Sequence, residues 1–146
     1  MQIRRKTIVY MLLLILFAES AMAQNLITNV YGRDVRSLNG KWNAIIDLYE
    51  QGRGMKVYRN QSPKGNTDFY EYSFAGGLRL NVPGDWNSQM PELKYYEGTV
   101  WYARHFDAER LVGKRQYLYF GAVSYRCRVY LNGTEIGSHE GGFTPF

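Results

Sequence analysis

The sequence predicts an all-β domain, a sandwich or a barrel, and three observations carry that expectation. Aromatic residues make up 16% of the chain, and 15 glycines punctuate it. Beyond the first two dozen residues, no stretch keeps apolar side chains at helical spacing for several turns. Short runs with an apolar residue at every second position alternate instead with Gly, Pro and Asn clusters, the pattern of strands joined by turns.

The first element is an export leader over residues 1–23. Arg4, Arg5 and Lys6 form a basic start, residues 7–18 are a Leu- and Ile-rich apolar run, and Ala21-Met22-Ala23 supplies the small-residue site that signal peptidases cut. Cleavage there makes Gln24 the mature N-terminus, leaves 24–36 as a lead segment, and delivers the protein to the periplasm or the exterior. The run is shorter than the roughly 20 apolar residues of a spanning helix, and no second such run follows, so no stable membrane anchor is expected.

A single domain over residues 37–146 comes next. In 41–48, Trp42, Ala44, Ile46 and Leu48 alternate with Lys41, Asn43, Ile45 and Asp47, which predicts a strand with one buried face. Residues 50–67 are rich in Gly, Arg, Asn and Lys, lack periodicity, and read as a long exposed connection. Leu78, Leu80 and Val82 mark a second strand, which Pro83 and Gly84 stop: proline cannot donate a ladder hydrogen bond, and glycine favours a turn. Residues 99–106 and 116–120 give a third and a fourth. In 124–131, Tyr125, Cys127, Val129 and Leu131 share one side, with Arg126, Arg128 and Tyr130 on the other. Asn132-Gly133 is the favoured two-residue hairpin turn because both residues tolerate positive φ, and 134–138 returns as the partner strand.

Charge and cysteine usage exclude several function classes. The formal net charge is +5, and losing Arg4, Arg5, Lys6 and Glu19 with the leader leaves a mildly basic chain. Its cations are scattered, so the footprint of a nucleic-acid binder is missing. Cys127 is the lone cysteine, which rules out an intramolecular disulfide, and its place in an alternating apolar run assigns it to packing. His105 and His139 have no ligand spacing around them, so neither a metal nor another cofactor is expected.

Four strings in order resemble one family. Ser37-Leu38-Asn39-Gly40-Lys41-Trp42 is similar to the first strand of family 2 glycoside hydrolases, Val82-Pro83-Gly84-Asp85-Trp86-Asn87 to a turn that follows an early strand there, and Tyr96-Glu97-Gly98-Thr99-Val100-Trp101-Tyr102 to the next strand in. The last block, Val129-Tyr130-Leu131-Asn132-Gly133 followed by His139-Glu140-Gly141-Gly142-Phe143-Thr144-Pro145-Phe146, resembles the β-glucuronidase branch. The resemblance implies the family's N-terminal sugar-binding domain, a jelly-roll-like sandwich of the galactose-binding-domain type. In the family that domain has further strands and is followed by an immunoglobulin-like domain and a catalytic barrel, so the resemblance implies a sandwich incomplete at its C-terminus.

Retaining glycosidases need two carboxyl groups about 5 Å apart, one protonated to assist the leaving oxygen and one ionised to attack the anomeric carbon. The resemblance places both on the barrel and the general acid in an Asn-Glu dipeptide, which this sequence lacks, so no catalytic residue is assigned. Candidate substrate contacts are Trp86, Tyr95 and Tyr96, whose rings offer flat faces to sugar C–H groups or else fill the core. Glu97, His139 and Glu140 are the polar candidates, although isolated carboxylates in turns more commonly satisfy backbone donors, a structural role. The expected partner is a β-linked glycoside, such as a glucuronide or a galactoside. Two other readings stand beside it: a free-standing exported carbohydrate-binding module, and a structural remnant of a disrupted gene.

Overall fold

The computed structural model describes residues 30–63, 65, 72–109 and 111–146, with the backbone alone at Tyr31. The export leader, the predicted Gln24 terminus and most of the lead segment lie outside the described residues. Among those described, no helix is long and apolar enough to cross a membrane, and helical structure is limited to 3₁₀ turns such as Val57–Arg59 and Pro91–Leu93. The fold is all-β and antiparallel, as the alternation requires.

Among the described residues, five strands make two sheets. Strands β1 (Gly40–Asp47), β2 (Leu78–Val82) and β3 (Thr99–Ala103) form one sheet in the order β2-β1-β3, and β4 (Arg126–Leu131) and β5 (Thr134–Glu140) form a hairpin. Asn132 and Gly133 turn that hairpin with φ of 49° and 81°, the left-handed pair that matches strand twist. The register shifts between Val129 and Tyr130, which face Gly137 and Glu135, so that Ile136 of β5 is passed over. The Tyr130 ring stacks on Tyr58 at 4.7 Å and tilts against Trp101 at 6.0 Å. That contact ties the hairpin to the three-stranded sheet.

Strand β1 is central, and both of its faces are covered rather than one. Ala44 packs with Leu80 and Leu93, joined by Ile46, Leu78, Trp86, Val100 and Tyr102. On the opposite face Ile45 packs with Val57 and Phe74, joined by Trp101 and Ala103. Residues 51–59, expected as an exposed connection, create the second cluster: they fold back as turns and bury Val57 at 5% exposure. Leu48, assigned to the buried face, is 65% exposed, because β1 ends at Asp47 and the chain turns there.

Two further strand expectations are corrected. The third strand stops at Ala103 instead of 106, where the Arg104 guanidinium donates to Lys41 O at 3.1 Å in place of a continuing ladder. Residues 116–120 are not a strand. Among the described residues they lack a neighbour to pair with, apart from reciprocal bonds between Phe120 and Phe146 at 2.9 and 3.0 Å.

Candidate functional site

The predicted contact residues fall into two groups on different elements. Trp86, Tyr95, Tyr96 and Glu97 lie in the β2–β3 connection, and His139 and Glu140 end β5. The connection is organised by short side chains. Asp85 accepts from the Ser88 hydroxyl at 2.6 Å and the Ser88 N–H at 2.9 Å, and those two bonds hold its carboxyl below the ordinary range. Gln89 accepts from Asn81 N–H at 2.6 Å and donates back to Asn81 O at 3.1 Å. Its amide thereby imitates a neighbouring strand at the edge of β2.

Trp86 and Tyr96 are brought together. The indole N–H of Trp86 donates to Tyr96 O at 3.3 Å, Asn87 Nδ2 donates to the same carbonyl at 3.0 Å, and the Tyr96 hydroxyl donates to Thr99 O at 3.0 Å. Both rings pack against the Ala44, Leu80 and Leu93 cluster. Burial, then the charges of Glu50 and Asp47, push the Tyr96 phenol up. Tyr95 points outward at 85% exposure, with the Lys94 ammonium 5.2 Å from its ring centroid, and Glu97 is exposed.

His139 is buried at 8% exposure, stacked on Phe146 at 4.1 Å with Thr144 Oγ1 3.1 Å from its Nε2. Glu140 pairs with Arg126 at 3.3 Å on the surface. Together with Arg126, Cys127, Arg128 and Ser138 they line an open hollow of about 270 Å³. Burial pushes the Cys127 thiol up, against a hydrogen bond with the His139 backbone. Among the described residues no three His, Cys, Asp or Glu side chains converge as cation ligands.

The alternation pattern missed the most heavily bonded group, Asp47. It was placed on a polar face, yet it is 2% exposed. Its Oδ1 accepts from Gln51 N–H at 2.9 Å and the Tyr72 hydroxyl at 3.0 Å, and its Oδ2 from Gly52 N–H at 2.8 Å and Trp101 Nε1 at 3.0 Å. Burial opposes the charged form. The bonds from Trp101, Gly52, Tyr72 and Gln51 outweigh it and hold the carboxyl below the usual range. The signal was a lone Asp at the end of an Ile45-Ile46 run, five residues before a glycine.

A second feature missed in the sequence is an open cleft of about 190 Å³ between the 51–59 turns and the hairpin tip, lined by Arg53, Tyr58, Tyr130, Gly133 and Glu135. There burial and the Glu135 carboxylate push the Tyr130 phenol up, and Arg53 and Arg128 pull the other way.

No family model matches the chain. It is 31% identical over 117 residues to a β-glucuronidase of Paenibacillus borealis, covering 78% of this chain and 18% of that protein. It is 44% identical over 122 residues to a β-galactosidase of Thermoanaerobacter pseudethanolicus, covering 79% and 14%. Among solved structures, a β-glucuronidase of an uncultured Clostridium superposes with a TM-score of 0.61 at 32% identity, over 77% of this chain and 18% of that one. The chain thus spans less than a fifth of the length of these relatives. On sequence and fold together, it belongs with the glycoside hydrolases that comprise the β-glucuronidases and β-galactosidases, of which it corresponds to one domain-sized portion.

Proposed function

We propose that this chain is the N-terminal β-sandwich portion of an exported, retaining family 2 glycoside hydrolase, shaping and supporting a pocket whose catalytic carboxylates lie on a barrel outside these residues. The observation that carries the reading is the joint match in sequence and fold to β-glucuronidases over nearly four fifths of the chain. A terminal uronic acid is the favoured sugar, because the β-glucuronidase of Ruminococcus gnavus, 27% identical with a TM-score of 0.54, is solved with D-glucuronic acid.

The carboxylates themselves support a non-catalytic role. Asp47 is enclosed by four donors, Asp85 is held by Ser88, Glu50 accepts from Thr99, and Glu135 and Glu140 pair with Arg128 and Arg126. None is set as a protonated acid facing a free nucleophile, the arrangement that retaining hydrolysis needs. The chain alone is expected to release no chromophore from p-nitrophenyl β-D-glucuronide or the β-galactoside. Turnover that follows the chain through purification from a host lacking both activities would sink the reading.

The exposed Tyr95 ring beside Lys94 favours a second reading, a free-standing carbohydrate-binding module. Saturable binding of methyl β-D-glucuronide that Tyr95→Ala abolishes would decide for it.

A further inference from the structure

The cleft between the 51–59 turns and the hairpin tip, lined by Arg53, Tyr58, Tyr130, Gly133 and Glu135, has walls that are fixed by bonds elsewhere in the fold. Gly52, the residue before Arg53, donates to the Asp47 carboxylate at 2.8 Å, and the N–H groups of Lys56 and Val57 close the turn on Arg53 O and Gly52 O at 3.1 and 3.0 Å. Tyr58 and Tyr130 stack with 13° between their planes, so two rings from separate elements make one stiff wall. At Gly133 an added Cβ would stand 3.5 Å from Arg59 Cγ. The hairpin turn therefore packs on the stem of a further arginine. The charges are mixed and cationic in balance. Arg128 donates to Glu135 Oε1 at 3.0 Å, and burial and Glu135 raise the Tyr130 phenol while Arg53 and Arg128 oppose them.

We propose that this cleft binds an acidic sugar, a single pyranose ring bearing a carboxylate, with Arg53 as the partner of that carboxylate. A guanidinium presents paired N–H donors that match the two oxygens of a carboxylate. Glu135 accepts from Arg128 with Oε1, and a carboxylate has further acceptor sites for the hydroxyls of a ring. The tyrosine wall suits a ring whose C–H groups are apolar and whose edge is polar. Pockets for drug-sized ligands run to about 300–1,000 Å³, so a cleft of about 190 Å³ takes one ring and not a chain. Inorganic phosphate shares the attraction to Arg53, but it brings few groups for Glu135 to accept from and is repelled by that carboxylate. The inference rests on the proposed action on glycosides only for the choice of probe.

The test is a titration of the full chain followed by the amide signals in NMR, with methyl β-D-glucuronide, methyl β-D-glucoside and inorganic phosphate as probes. The glucuronide is expected to shift the amides of Arg53, Tyr58, Gly133 and Glu135 saturably. The neutral glucoside, which lacks the carboxylate, is expected to bind at least roughly tenfold more weakly, the loss of one charge-assisted bond. Salt is expected to weaken the glucuronide and not the glucoside, a readout that needs no variant. Arg53→Gln, at an exposed position, is expected to bring the glucuronide down to the affinity of the glucoside while the β1 signals stay in place. No saturable shift with the glucuronide, shifts confined to Lys94 and Tyr95, equal affinity for the glucoside, phosphate bound as tightly as the glucuronide, or an Arg53→Gln variant that binds like the parent would each overturn the proposal. Turnover of the p-nitrophenyl glycosides tests the preceding reading separately, so the two can fail independently.

Discussion

At Asp47 one carboxylate fixes the turn that gives β1 its second covered face. It collects the N–H groups of Gln51 and Gly52, the Tyr72 hydroxyl and the Trp101 indole, so the chain must reverse directly after β1. In Asp47→Asn the amide NH₂ turns a donor toward two of those donors, and the expected loss is roughly 2–6 kcal/mol at about 1–3 per orphaned group, read by urea denaturation at neutral pH. Because the folded carboxyl lies below its ordinary value of 3.8, its contribution is complete above that value and fades as pH falls below it. Melting temperatures of the parent and the Asn variant are expected to converge in that acid window, and a constant gap would contradict the assignment. Gly52 is the companion residue: a Cβ there would collide with the Trp101 indole nitrogen and the Asp47 carboxylate. Gly52→Ala is expected to destabilise by more than the ~1 kcal/mol of an ordinary glycine replacement, with the Trp101 fluorescence shifted.

At the scale of elements, what the sequence made legible were those with local causes. The β4–β5 hairpin could be read because Asn132 and Gly133 impose their own turn, and the end of β2 because Pro83 imposes a stop. The second cover on β1 could not, since Val57 reaches Ile45 through a turn that the Asp47 carboxylate and the Val57 N–H bond to Gly52 O hold together, contacts that no period records. Residues 116–120 failed for the converse reason: strand propensity without a neighbour makes no sheet. Of the candidate site, the pairing of Trp86 with Tyr96 rests on the carbonyl of Tyr96, and the spacing of two aromatic residues does not reveal a backbone acceptor. The junction between sheet and hairpin is equally non-local. Tyr130→Ala removes the stack on Tyr58 and the contact with Trp101, so amide exchange is expected to quicken through 126–140 while β1 keeps its protection. Equal acceleration in both sheets would show that the two open as one unit.

For the whole molecule, the distribution of burial sets how it unfolds. Among the described residues the buried apolar side chains, Ala44, Ile45, Val57, Phe74, Leu80 and Leu93, all belong to the two clusters on the three-stranded sheet. Elsewhere large apolar groups stand in solvent: Tyr125 at 62% exposure, Ile136 at 51%, Val112 at 93% and Phe143 at 97%. A β-sandwich takes its stability from apolar faces that cover each other, and here the hairpin meets the sheet through a tyrosine stack. Folded domains hold only about 5–15 kcal/mol over their unfolded chains, so a sheet covered on both faces and a hairpin left open differ by a large part of that total. Calorimetry of the chain is therefore expected to give a broad transition with a van't Hoff enthalpy different from the calorimetric one, the sign of a process that is not two-state. Anilinonaphthalene sulfonate is expected to bind before the transition begins, at the exposed apolar groups of the hairpin and the 111–125 region. Equal enthalpies, a sharp midpoint above the roughly 45–65 °C of ordinary domains, and no dye binding would show that the exposed faces are covered in solution, and the uneven distribution of stability would have to be abandoned.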